Sequence, residues 1–240
     1  SPMSRGLGDV YKRQLIDGAL PFLERCRERG IAHYFLSNNS SKSVNEYLEK
    51  LQRLGIDATP DDVLLSTHDL IAYIGQHNYS RTYVIGTEGM KSMLHAQNIE
   101  TESDNPELVV VGYDTELTYE KLVKASIFLH QGIPLIASHP DMVCPSPDGG
   151  LPDVGAFLAL FEKTTGKRPM HICGKPNPRM ILHKIESLGL QPEECAMVGD
   201  RIYTDMEMAK QAKVVSILVL SGEATLEDLN DGHELSLIDI

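Results

Sequence analysis

Ile31-Ala32-His33-Tyr34-Phe35-Leu36-Ser37-Asn38-Asn39-Ser40 is an apolar run that stops on a hydroxyl and two amides. The same shape returns at Cys195-Ala196-Met197-Val198-Gly199-Asp200, where the run stops on a carboxylate. It returns again at Ile172-Cys173-Gly174-Lys175-Pro176-Asn177-Pro178, where a short apolar step leads to a cation. Short apolar runs bounded by turn residues read as buried strands. In an open α/β sheet, ligands bind outside the carboxyl ends of the strands. A hydroxyl, a cation and a carboxylate at three such ends predict one shared polar site built on Ser37, Lys175 and Asp200.

Outward from these stretches, helices and strands alternate, the pattern of a parallel sheet covered on both faces. Gly18 to Arg29 reads as a helix stopped by Gly30, and Ser43 to Leu54 as one stopped by Gly55. Val63-Leu64-Leu65 and a further helix to Gln76 follow. After the linker His77-Asn78-Tyr79-Ser80 a second series begins, with strands at Thr82 to Ile85, Leu108 to Val111 and Pro134 to Ala137. Helices at Thr87 to Gln97 and Thr118 to His130 lie between them. Ser138 to Gly150 is too rich in Pro and Gly for regular structure, and a loop this long is usually functional. The series returns through a helix near Gly155 to Lys163, the Lys175 loop, a helix to Leu188, strand Cys195 to Val198, a helix and strand Val214 to Leu220.

Composition narrows the partners. The chain has 240 residues, a net charge of -12, 42% hydrophobic and 23% charged residues. That balance is ordinary for a globular protein. It disfavours nucleic acid, whose phosphates need clustered Lys and Arg, and an acidic membrane surface. No apolar run approaches the ~20 residues of a membrane span. Cys26, Cys144, Cys173 and Cys195 show no C-x-x-C spacing and read as reduced thiols of a cytoplasmic protein. The nine histidines show no H-x-x-x-H spacing and read as ordinary surface or packed residues.

The three strand ends suit phosphate chemistry. Phosphoryl transfer spreads negative charge over the phosphoryl oxygens, so its site needs positioned donors and cations. Ser37 can donate from its hydroxyl, and Asn38 and Asn39 from backbone or amide nitrogens; the four residues Ser37 to Ser40 would also make a turn and an N-cap. Lys175 can neutralise phosphate as a point charge. Asp200 offers the hard oxygen that magnesium prefers. Asp205, five residues on, could hold a metal-bound water or orient the loop; it could equally be a helix-start charge favoured by the dipole. Thr204 reads as a cap residue.

In order and spacing these motifs resemble the haloacid dehalogenase superfamily, and within it the subclass IIA phosphatases of the NagD-like and p-nitrophenylphosphatase-like kind. The resemblance runs from about Leu15 to Asp231 and includes Tyr83-Val84-Ile85-Gly86-Thr87-Glu88-Gly89, Val111-Gly112-Tyr113-Asp114 and Leu218-Val219-Leu220-Ser221-Gly222. It implies an α/β fold: a Rossmann-like core from residues 15–78 and 169–234, with an α/β cap inserted at 79–168. It implies a magnesium-dependent phosphatase of small phosphate monoesters working through an aspartyl-phosphate, with Ser37, Asn38, Asn39 and Lys175 on the phosphate, Asp200 and Asp205 on Mg2+, and a homodimer formed through the cap. By the same resemblance the loop carrying Asp141 and Cys144 lies at the mouth of the site, where it would touch the leaving group; Asp114 is a weaker candidate, and a structural linker is the alternative for the loop. One departure is Ala212-Lys213-Val214, where the family commonly has glycine in the middle; lysine would be strained there if φ is positive.

The family's nucleophile motif, Asp-x-Asp-Gly, closes a first strand that precedes the segment Leu15-Ile16-Asp17-Gly18-Ala19. Residues 1–14 contain no Asp-x-Asp and no apolar run. Asp9-Val10-Tyr11-Lys12-Arg13-Gln14 resembles a translated sequencing adapter, and residues 235–240 resemble its reverse complement. Both ends are therefore read as scars outside the fold. The expectation is a chain cut just after its nucleophile, lacking the first core strand and inactive as it stands. The alternative is a non-catalytic phosphate-binding protein of the same fold.

Overall fold

The computed structural model describes residues 8–9, 14–146, 148–225 and 227–228. Most of the two presumed scars lies outside those residues. Of the first, Gly8–Asp9 pairs antiparallel with Gln14–Leu15, and this short pair joins none of the parallel strands.

The elements run α1 (Ala19–Glu28), β1 (Phe35–Ser37), α2 (Val44–Arg53), β2 (Val63–Leu65), α3 (Ser66–Gln76), β3 (Thr82–Ile85), α4 (Glu88–His95), β4 (Leu108–Val111), α5 (Tyr119–His130) and β5 (Leu135–Ala137). Then come α6 (Val154–Thr165), β6 (His171–Ile172), α7 (Arg179–Ser187), β7 (Ala196–Gly199), α8 (Glu207–Ala212) and β8 (Val215–Leu218). Their starts follow local chemistry. Ser43 caps α2 by accepting from Glu46 N, while the Glu46 carboxylate accepts from Ser43 N at 2.8 Å, a reciprocal capping box. Thr87, Thr118 and Asp153 cap α4, α5 and α6 with their side-chain oxygens.

All labelled strands pair in parallel. β6, β5, β4 and β3 form one four-stranded sheet in that order, while β1–β2 and β7–β8 form two separate pairs. In the four-stranded sheet the faces alternate as the strand period requires. Tyr83, Ile85, Val109, Val111, Leu135 and Ala137 pack on one side with Phe128 and Phe161 of α5 and α6. Val84, Leu108, Val110 and Ile136 pack on the other with Leu70, Ile74, Met90 and Leu94 of α3 and α4.

Four features differ from the sequence reading. Residues 31–34 are not strand, and Ile31 is exposed. Inside the Pro- and Gly-rich loop, Val143–Cys144 pairs antiparallel with Leu151–Pro152. His171 and Ile172 pair with Ile136 and Ala137, so the inserted sheet takes in a strand beyond residue 168, where the resemblance had placed the end of the cap. The two residues are too few to announce a strand; Met170 N and Cys173 N bonding to Leu135 O and Ala137 O fix them there. Finally, one π-helical turn, Ile202–Met206, separates Asp200 from α8. Lys213 does take a left-handed backbone, with φ +60°, at the end of α8. No helix of the described residues is long and apolar enough to cross a membrane.

Candidate active site

The loop after β1 is held by its own side chains. Ser37 Oγ accepts from Asn39 N at 3.2 Å, and Asn39 Oδ1 accepts from both Ser41 N and Ser41 Oγ. These are the turn bonds that short polar side chains make. Asn38 works at longer range. Its Oδ1 accepts from Lys175 N at 2.7 Å, and its Nδ2 donates to Lys175 O at 3.0 Å and to the Asp141 carboxylate at 3.2 Å. With 6% exposure, this amide serves as a bracket between loops. Among the described residues, the donors left at this strand end are the Ser37 hydroxyl, the Asn39 amide nitrogen and backbone nitrogens.

The same loop is clasped to the inserted sheet. Ser40 Oγ lies 2.9 Å from Ser138 Oγ and accepts from Tyr113 N at 2.8 Å, and Thr87 Oγ1 donates to Ser41 O. From α3, Ser66 Oγ donates to Asn38 O, and Asp69 accepts from Gly174 N at 3.0 Å. Gly174 is required by contact as well as by its φ of +69°: a Cβ there would stand 2.6 Å from Asn38 Oδ1 and 2.8 Å from Ser138 O.

Lys175 reaches across to the β7 end, where its Nζ lies 2.6 Å from Asp205 Oδ1. Asp205 is buried at 3% exposure, and its Oδ2 accepts from Arg201 N. Asp200 is also buried, and its Oδ2 accepts from Glu223 N at 3.0 Å. Glycine is needed on both flanks, because a Cβ on Gly199 would overlap the Asp205 carboxylate and one on Gly222 would overlap that of Asp200. Arg201 pairs with Glu223 at 2.8 Å and faces Asp141 at 3.9 Å.

Ser37, Lys175, Asp200 and Asp205 thus belong to one set of linked loops, joined through Asn38, Arg201 and Asp141. Asp205 is engaged by the Lys175 ammonium. Asp141 is tied to Asn38 and lies between the loops. Cys144 is half-buried among apolar side chains, where burial raises its pKa and keeps the thiol protonated. Asp114 lies elsewhere: it is buried and pairs with Lys121 at 2.8 Å, and its Oδ1 accepts from Glu116 N. A cleft of about 440 Å³ beside the lysine loop is lined by Pro140, Cys173, Gly174, Pro176, Asn177 and Gln211 among others, and touches neither Ser37 nor Asp200.

Sequence spacing had not distinguished Asn38 as a bracket, nor His139, read as an ordinary histidine. His139 is 1% exposed, with Asp141 Oδ2 3.5 Å from one ring nitrogen and Asp153 Oδ1 3.6 Å from the other.

The chain is similar in sequence and in fold to known proteins. Residues 10–100 match a family described as haloacid dehalogenase-like hydrolase, and residues 172–237 one described as HAD-hydrolase-like. An acid sugar phosphatase of Staphylococcus epidermidis is 36% identical over 225 residues, 92% of this chain and 86% of that protein. The crystal structure of a 4-nitrophenylphosphatase from Thermotoga maritima superposes with a TM-score of 0.89 at 40% identity, covering 94% of this chain and 87% of that one. NagD from E. coli K-12 superposes at 0.86 with 26% identity, covering 95% and 90%. The chain belongs to the haloacid dehalogenase-like hydrolase family, on its NagD-like and p-nitrophenylphosphatase-like branch.

Proposed function

We propose that this fold serves the hydrolysis of small phosphate monoesters with magnesium, and that the 240-residue chain as it stands binds phosphate without turning it over. The observation that carries the reading is the Lys175 ammonium. It is held by Asp205 at 2.6 Å and has its backbone clamped by Asn38 beside Ser37. A fixed cation and a hydroxyl at neighbouring strand ends suit a phosphoryl group, whose charge they would offset. The acid sugar phosphatase that is 36% identical to this chain supports the substrate class.

Asp200 fits magnesium by the chemistry of its donor, a hard carboxylate oxygen on a strand end. Asp205 fits less well, because Lys175 occupies it. Bound there, magnesium would neutralise charge on the phosphoryl oxygens. Lys175 would hold the other side of the group, and Ser37 would donate to one of its oxygens. The attacking carboxylate implied by the family resemblance would stand upstream of Leu15. Residues 1–14 carry no Asp-x-Asp, and Ser37 Oγ accepts the Asn39 N–H in its turn, with no hydrogen-bonded base among the described residues of the kind a hydroxyl nucleophile needs. The free cysteines fit a reducing, cytoplasmic setting.

The test pairs two proteins. The 240-residue chain should release no p-nitrophenol from p-nitrophenyl phosphate with magnesium. A version carrying an upstream strand that ends in Asp-x-Asp-Gly should turn over, and Asp200→Ala should abolish that turnover. Magnesium-dependent release by the 240-residue chain, lost in Asp200→Ala, would overturn the inactivity; no turnover of any ester by the extended chain would overturn the phosphatase reading.

A further inference from the structure

The loop between β5 and α6 and the start of α6 gather three metal-ligating side chains, of which only Asp141 also touches the loops of the phosphate site. His139, Asp141 and Asp153 each offer a donor atom, and these atoms lie within 4.8 Å of one another. His139 is buried at 1% exposure, and neither ring nitrogen has a hydrogen-bond partner. The carboxylate oxygens face those nitrogens at 3.5 and 3.6 Å, beyond hydrogen-bond length. A buried polar atom left without a partner costs about 1–3 kcal/mol, so an imidazole facing two carboxylates with both nitrogens unsatisfied calls for a ligand.

We propose that His139, Asp141 and Asp153 bind one divalent transition-metal cation of the zinc class. Imidazole with carboxylate is a borderline donor set that suits such ions better than magnesium, which prefers oxygen alone. Zinc sits about 2.0–2.2 Å from nitrogen and oxygen donors, so donors on one ion stand at most about 4.4 Å apart. Small rotations of the two carboxylates close the present spread.

The frame around the three residues is set. Gly155 N donates to Asp141 O at 2.8 Å, Asp153 N to Met142 O, and Val154 N to Asp153 Oδ1 at 2.7 Å. A Cβ on Gly155 would come within 2.6 Å of Pro140 O, so the loop and the start of α6 are in close backbone contact. Burial is the chief cause that pushes the His139 imidazole down to about 4, with Lys175 and Arg201 acting the same way against Asp141. Burial likewise pushes the Asp153 carboxyl up to about 7, with Asp141 adding to the rise. Both are chiefly consequences of withholding water from charge, and a divalent cation would offset the two carboxylates. Arg201 is the nearest competing cation, 3.9 Å from Asp141, and it keeps Glu223 at 2.8 Å as its closer partner. Because Asp141 also holds Asn38, the ion would fasten the inserted loop to the bracket of the lysine loop.

The test needs only the chain and the metal. Chelator-treated 240-residue protein, its fold checked by circular dichroism, is titrated with Zn2+ alone by calorimetry, with magnesium in excess as a competitor. One Zn2+ per chain is expected, undisturbed by magnesium. His139→Gln and Asp153→Asn should each weaken it more than about a hundredfold, beyond the ~10–100-fold that losing an outer-shell partner costs. Asp200→Asn should leave it intact. Nitrogen-correlated NMR of the imidazoles in the unsubstituted chain keeps the test independent of how the variants fold: among the nine histidines, one ring, His139, should shift on adding Zn2+. No stoichiometric zinc on the folded chain, no histidine shift, or binding lost in Asp200→Asn but kept in His139→Gln would overturn the proposal.

Discussion

β3, β4 and β5 bury every residue they contain, whereas β7 and β8 leave Val198 and Val215 each 41% exposed. The first sheet is sandwiched between α3–α4 and α5–α6 and is held by apolar packing on both faces. The β1–β2 and β7–β8 pairs have smaller clusters, around Phe35 and Leu65 on one side and Met197 and Met208 on the other. They are joined at their carboxyl ends by polar contacts: Asn38 with Lys175, Lys175 with Asp205, and Asp69 with Gly174. The difference teaches that the candidate site is also structure. The groups that would hold phosphate are the ones tying the flanking strands together.

The sharpest way to break that comparison is to cut the polar tie. Lys175→Met would leave the Asp205 carboxylate, whose side chain is 4% exposed, without its partner. Removing one member of a buried ion pair costs about 3–5 kcal/mol. Urea unfolding should show a loss of that size, with Asp205→Asn restoring part of it in the same background. A Lys175→Met chain within about 0.5 kcal/mol of its parent, the range of ordinary surface changes, would mean the pair holds nothing together.

A milder contrast tests the two sheets side by side. Leu108 is fully buried in the four-stranded sheet, and Leu→Ala at such sites costs about 2–5 kcal/mol. Val198→Ala removes less side chain from a half-open position and should cost well under about 1 kcal/mol. Equal costs in the same denaturation experiment would erase the distinction between the sheets.

Much of this was legible in the residues. Four-residue apolar runs such as Leu108 to Val111 announced the inserted strands, and Ser37, Lys175 and Asp200 marked loops that the structure links through side-chain contacts. At Lys213 the glycine common in the family had raised the question of a positive φ, and the backbone takes one. What stayed hidden was long-range pairing. Asn38 meets Lys175 across 137 residues and Asp141 across 103, and no local periodicity encodes such contacts. Asp205 offered a metal-water or loop-orienting role with a helix-start charge as the alternative, and its contact with Lys175 stayed hidden because that partner lies 30 residues back in another loop. His139 escaped notice for a related reason. Its neighbours are loop residues at spacings of 2 and 14, and helical ligand patterns do not describe a cluster built from a loop and an N-cap.

α3 is where the two regions meet, and it supplies the smallest and most selective test. Its Leu70 and Ile74 pack under the inserted sheet, while His68 reaches back to the end of β2, where its Nδ1 accepts from Leu65 N at 3.0 Å. Burial pushes the His68 pKa below its usual value, and Lys184 pushes it the same way. A proton added at Nδ1 would also displace the Leu65 N–H. Because the folded-state pKa lies below the unfolded value of about 6.5, His68 contributes stability that is present above about pH 6.5. That stability is lost as pH falls toward and through the folded-state value. The slope from one such group is at most about 1.4 kcal/mol per pH unit. Glutamine at this third helical position can accept the same backbone N–H without titrating. Melting temperatures of the parent chain should therefore fall more steeply between pH 7 and 5 than those of His68→Gln. Parallel curves would show that this joint between the regions does not titrate.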